Sequence, residues 1–94
     1  MFENSRYLTK EVNQSVPLDL QIFIWKCIDE IPIEKDYLQV FNLSVKGGIQ
    51  VIEHKQEVLK YQNTYFVLVS NPVDAKIFVI DDGEYSTMLL SEEY

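Results

Sequence analysis

The sequence predicts an α+β fold, with one principal helix packed on an antiparallel sheet of about five strands. Three observations carry that expectation. Apolar residues recur at helical spacing in one segment, Pro17 to Ile31. Past Pro32 the pattern turns to alternation with β-branched and aromatic residues, and turn formers then punctuate the chain at hairpin intervals. The chain has 94 residues, 47% hydrophobic and 24% charged, which suits a single domain over residues 1–94 and excludes disordered or collagen-like chains.

Taken in order, Tyr7 to Lys10 reads as a short strand. Pro17, with a fixed φ that suits a first helical turn, opens the helix; Asp19 sits near its positive end, and Pro32 stops it by lacking an N–H and constraining Ile31. From Tyr37 to Val45 one face carries Tyr37, Phe41, Leu43 and Val45, and the other turns polar at Asn42 and Ser44. Lys46-Gly47-Gly48 then reverses the chain into a strand from Ile49 to Gln56. Glu57 to Asn63 reads as loop, and Thr64 to Val69, apolar on both faces, as a central strand. Ser70-Asn71-Pro72 makes the next turn and Ala75 to Asp81 the next strand. Asp82-Gly83 fits a two-residue loop that needs positive φ, which places Asp81 opposite Glu84, before Tyr85 to Leu90 closes the sheet.

Composition then narrows the function classes. The 8 basic and 15 acidic residues give a net charge of −7, which opposes binding to phosphate backbones and anionic membranes, and the basic residues are dispersed. No direct nucleic-acid or membrane contact is expected. The longest unbroken apolar run, Tyr65 to Val69, falls far short of the ~20 residues that span a bilayer, and no export signal is visible. The lone Cys27 cannot close an internal disulfide, so a cytoplasmic protein is expected.

Sites of chemistry are sparse. The 3 glycines do not form a phosphate cradle, and 1 His with 1 Cys falls short of the four or so ligands of a zinc site, so neither cofactor nor metal is expected. Cys27 shares a helix face with Leu20, Phe23, Ile24 and Ile31 and reads as a core residue rather than a nucleophile. His54, among Glu53, Lys55, Gln56 and Glu57, reads as solvated or structurally paired rather than as a general base.

Two features rise above this background. Residues 81–94 hold Asp81, Asp82, Glu84, Glu92 and Glu93 with no base, so the final hairpin carries an acidic tip. At ~100° per residue, Leu20, Phe23, Ile24, Cys27, Ile28 and Ile31 form one apolar sector of the helix, while Leu18, Ile22 and Trp25 form a second, roughly opposite. A helix lying on a sheet buries one side, so this second stripe must meet the chain's own loops or its N-terminal arm, with Phe2, Tyr7, Leu8 and Val12, or else another molecule.

A string of short motifs carries a resemblance over nearly the whole chain. Arg6-Tyr7-Leu8-Thr9, Val16-Pro17-Leu18 with Trp25, Asp36-Tyr37-Leu38-Gln39-Val40-Phe41, His54-Lys55-Gln56-Glu57, Val79-Ile80-Asp81-Asp82-Gly83 and Ser86-Thr87-Met88-Leu89-Leu90 ending in Glu93-Tyr94 resemble the domain-of-unknown-function 960 family. That resemblance implies a short protein of Gram-positive bacteria, some of them carried on staphylococcal mobile elements, without an assigned activity, cofactor or catalytic residue. The expected function is therefore a non-enzymatic cytoplasmic interaction or regulatory module. It would meet an unidentified protein partner or a second copy through Leu18, Ile22 and Trp25 and the tip residues Asp81, Asp82 and Glu84. Two rivals remain: an acidic mimic of nucleic acid that blocks a DNA-binding protein, and a small enzyme using His54 with nearby carboxylates.

Overall fold

A computed structural model describes residues 1–94. The chain forms β1 (Ser5–Leu8), α1 (Lys10–Ser15), α2 (Leu18–Asp29), β2 (Leu38–Lys46), β3 (Ile49–Gln56), β4 (Tyr61–Val67), β5 (Ala75–Asp81) and β6 (Tyr85–Leu90), with a closing 3₁₀ turn at Ser91–Glu93. The six strands make one sheet in the order β1-β6-β5-β2-β3-β4. All pairings are antiparallel except β1 with β6, which is parallel. The expected sheet of about five antiparallel strands is thus a mixed sheet of six. The parallel pairing arises because the chain leaves β1, crosses one face of the sheet in both helices and returns through β2 in the same direction.

Local chemistry explains most of the elements. Gly47 and Gly48 stand at φ of 57° and 77°, the left-handed values that let Lys46 and Ile49 pair across a two-residue loop. Pro17 stands as the N-terminal cap of α2 rather than inside its first turn, and the helix ends at Asp29, two residues before the expected Ile31, because Pro32 holds Ile31 out of helical geometry. The six-residue α1 is absent from the sequence-based reading. Its signal is slight: Thr9 Oγ1 accepts from Val12 N–H at 3.2 Å, and Val12 and Val16 recur at helical spacing. A helix this short lies below the length at which periodicity speaks.

Two strands also differ from expectation. The N-terminal strand is Ser5–Leu8 rather than Tyr7 to Lys10. β4 begins at Tyr61 and lies at the edge of the sheet, not its centre. Its apolar look on both faces comes from Tyr65 and Val67 packing inward while Phe66 faces out, 71% exposed.

The core lies between the helices and one sheet face. Leu20, Ile24, Cys27 and Ile28 of α2 meet Phe41, Leu43, Ile52, Ile77, Val79 and Met88, and Phe2, Val12 and Val16 seal the end over β6. Buried glutamines then fasten the loops. Gln50 donates to Val73 O at 3.0 Å and accepts from Val73 N–H at 2.7 Å, and Gln56 donates to Glu34 O and Leu59 O.

Candidate functional site

Antiparallel sheets that cover one face usually turn polar on the other. Here the open face is mixed, and its apolar residues concentrate on one side. Across β3 and β4 the outward positions include Glu53, Lys55, Gln62 and Thr64 with Val51 and Phe66, whereas across β1, β6, β5 and β2 Tyr7, Tyr85, Leu89, Phe78, Ile80, Leu38 and Val40 share the face with Thr87, Lys76, Asn42 and Ser44. The alternation of the strands forces this, because Ile77 and Val79 point into the core and so turn Phe78 and Ile80 outward. Tyr7 and Tyr85 meet edge to face at 5.4 Å, as do Phe78 and Tyr94 at 5.6 Å, and the Lys76 ammonium lies 5.9 Å from the Phe78 ring centre. Tyr7, Tyr85 and Tyr94 remain exposed. The result is an aromatic platform on the uncovered side of the fold.

The acidic tip borders that platform, but two of its carboxylates hold the fold together. Asp82 pairs with Tyr85, so the loop is Gly83-Glu84 and Asp81 lies opposite Ser86, one step from the expected Asp81–Glu84 pairing. Asp81 accepts from Phe2 N–H at 2.7 Å, Asn4 Nδ2 at 3.0 Å and Gly83 N–H at 2.8 Å. Partial burial works against its ionisation, yet these donors hold its carboxyl below the usual range. Asp82 Oδ1 accepts from the N–H groups of Glu84 and Tyr85 and so shapes the turn. Glu84 is the free carboxylate of the tip, exposed beside Tyr85.

The second helix stripe divides. Leu18 and Ile22 are bare, 68% and 60% exposed, whereas Trp25 is half-buried beneath Arg6, whose guanidinium carbon lies 4.8 Å from the indole centre. Arg6 also ion-pairs with Asp29, which lowers the pKa of that carboxyl, and donates to Phe2 O. The N-terminal arm therefore covers Trp25 alone: its Phe2 and Val12 enter the core, Leu8 packs against it, and Tyr7 turns to the platform. The same arm joins tip to helix through Asp81, Phe2, Arg6 and Trp25.

His54 is structurally paired, as one of the two expected readings had it, but with an amide rather than with water or a carboxylate. It is fully buried, stacked on Phe41 at 4.2 Å, and its Nε2 lies 2.7 Å from Gln39 Oε1. Gln39 Nε2 is already committed to Asp36 O and Gln56 Oε1, so its oxygen accepts and His54 Nε2 carries the proton. Nδ1 is left without a partner, and burial pushes the imidazole pKa down to about 4. The constellation that catalysis by His54 requires is not assembled. Gln39, Gln50 and Gln56 escaped the sequence-based reading, although each stands at an inward strand position where a buried amide is anomalous.

Cys27 is 2% exposed in the core, and burial raises its thiol to about 11. Alkylation by iodoacetamide at neutral pH is expected to be slow in the native protein and fast after unfolding. Rapid stoichiometric labelling of the native chain would contradict this placement.

No group of three or more His, Cys, Asp or Glu residues is arranged to hold a metal ion, and no helix is long and apolar enough to cross a membrane. One recess, about 510 Å³, lies at the β3–β4 turn among Lys55, Gln56, Glu57, Lys60, Tyr61 and Gln62. The family model described as a staphylococcal protein of unknown function, DUF960, matches residues 5–93. The crystal structure of a protein of unknown function from Enterococcus faecalis is similar, with a TM-score of 0.86 and 28% identity over 98% of this chain and 92% of that one. No curated protein matches the sequence.

Proposed function

We propose that this chain, which belongs to the staphylococcal family of unknown function DUF960, is a protein-interaction module that docks a partner on its aromatic sheet face. One observation carries the reading: on the uncovered side of the sheet Tyr7, Tyr85, Leu89, Phe78, Ile80, Leu38 and Val40 gather across β1, β6, β5 and β2, bordered by the polar Thr87, Lys76, Asn42 and Ser44, where water contact favours polar residues throughout. Tyrosine and phenylalanine, rigid and amphipathic, are the side chains that anchor interfaces. Glu84 lies at the rim of this face and suits a partner with a basic border, whose approach it would accelerate. Leu18 and Ile22, across the molecule, are two isolated contacts, an auxiliary surface rather than a second platform.

The same placement supports a binding module over the two rivals. Asp81 and Asp82 are spent on hydrogen bonds to the chain itself, which leaves no carboxylate ridge to imitate a phosphate backbone. His54 faces Gln39 and Phe41 rather than substrate space. The test is affinity capture with wild type and with a Tyr7→Lys/Tyr85→Lys variant as baits, both checked for folding by circular dichroism. A partner held by the wild type is expected to bind the variant roughly 30-fold more weakly, and Glu84→Gln to blunt the salt dependence of association. Equal retention by both baits overturns the proposal, as does recovery of the wild type alone.

A further inference from the structure

The sheet ends differently on its two sides. β1 is four residues long and carries Arg6, whereas β4 offers seven residues, Tyr61–Val67, with its outer edge unpaired. Proteins blunt such an edge with lysine, proline or a bulge, and β4 has none of these. Its pairing with β3 runs without interruption from Gln50–Val67 to Gln56–Tyr61, so the strand is regular throughout. Residues 61–73 contain no charged side chain, the longest such stretch in a chain of net charge −7. Within it, Phe66 and Leu68 are 71% and 85% exposed.

We infer that β4 is the seam of a symmetric dimer, in which two copies join edge to edge, antiparallel, into a continuous twelve-stranded sheet. Pairing about a two-fold axis at Thr64 uses all seven residues. It sets Tyr61 against Val67, Gln62 against Phe66 and Asn63 against Tyr65, each with its mate on the same face. Two chains of −7 repel, and this edge is where they meet without bringing like charges together. A second copy fits better than an extended peptide from another protein. Peptides that add to an edge gain specificity from pockets flanking it, and here Phe23 of α2 fills the angle beside β4 by packing against Tyr65 at 5.3 Å. The inference concerns an edge that the aromatic face does not share.

Sedimentation equilibrium of the full chain tests it. The wild type is expected to approach twice the 11.1 kDa chain mass as concentration rises. Thr64→Lys/Phe66→Lys, at two exposed outward positions of the edge, should stay monomeric with an unchanged circular dichroism spectrum, while Tyr7→Lys/Tyr85→Lys should still dimerise. Hydrogen exchange adds a second readout: the outward amides of residues 61–67 should exchange faster as the wild type is diluted. The inference fails if the wild type is monomeric throughout, or if the edge variant still dimerises. It also fails if the sheet-face variant is the one that dissociates.

Discussion

Lowering the pH from 6.5 to about 4 is expected to remove roughly 3 kcal/mol of folding stability through His54 alone. The folded imidazole titrates near 4, because burial disfavours its charged form, whereas in the unfolded chain it titrates near 6.5. Between those values the unfolded state binds a proton that the folded state refuses. Stability is therefore complete above pH 6.5, falls across the window and levels off below 4. The structure explains why protonation is so costly. Nε2 already donates to Gln39, and a second proton would sit on Nδ1, sealed with no acceptor. The measurement is thermal or urea denaturation at a series of pH values, comparing the wild type with His54→Gln. The variant loses the stacking on Phe41 at every pH, so it starts less stable, but its profile should be flat where the wild type slopes. Parallel profiles would show that the imidazole is not sealed. Below this window a second decline belongs to Asp29 and Asp81, whose lowered pKa values contribute stability present above 3.8 and lost as pH falls through their folded values.

What the sequence disclosed follows the range of the interactions involved. β3 and β5 lie where alternation and the Gly47-Gly48 loop put them, and α2 matches within two residues at each end, because those signals are local. The parallel partner of β1 is set by a crossover of both helices, and no local pattern encodes it. Apolarity on both faces was read as the mark of centrality for Thr64 to Val69, yet it belongs equally to Ala75 to Asp81, where Ile77 and Val79 face in and Phe78 and Ile80 face out. Such a pattern cannot distinguish a strand covered on both sides from one with an open apolar side. The aromatic platform was hidden for that reason, since it is assembled from β1, β6, β5 and β2. The acids of the tip were legible as surface charge, but their work was not. Asp81 takes its N–H from Phe2, 79 residues earlier, and reach of that kind is invisible to spacing.

That long-range clasp makes the N-terminal arm a structural member, and Phe2→Ala is expected to cost about 3–5 kcal/mol, the range for deleting a buried phenylalanine. Chain ends normally fray and tolerate substitution. Phe2 is instead 1% exposed, joined to the core, with its N–H bound to Asp81 and its carbonyl oxygen accepting from Arg6. Losing the ring loosens the base on which Arg6 stands, so the cover over Trp25 should weaken as well, visible as a red shift of tryptophan emission. The backbone supplies a second diagnostic. Phe2 has φ of 65°, a left-handed conformation that strains phenylalanine and alanine but not glycine. Phe2→Gly removes the same ring but relieves that strain, so it should be at least as stable as Phe2→Ala, reversing the usual order. Urea denaturation of the three proteins decides the matter. Near-identical midpoints for wild type and Phe2→Ala would mean that the arm is a passive tail, whereas a large loss in Phe2→Ala, equalled or partly relieved in Phe2→Gly, identifies both the buried ring and its strained anchor.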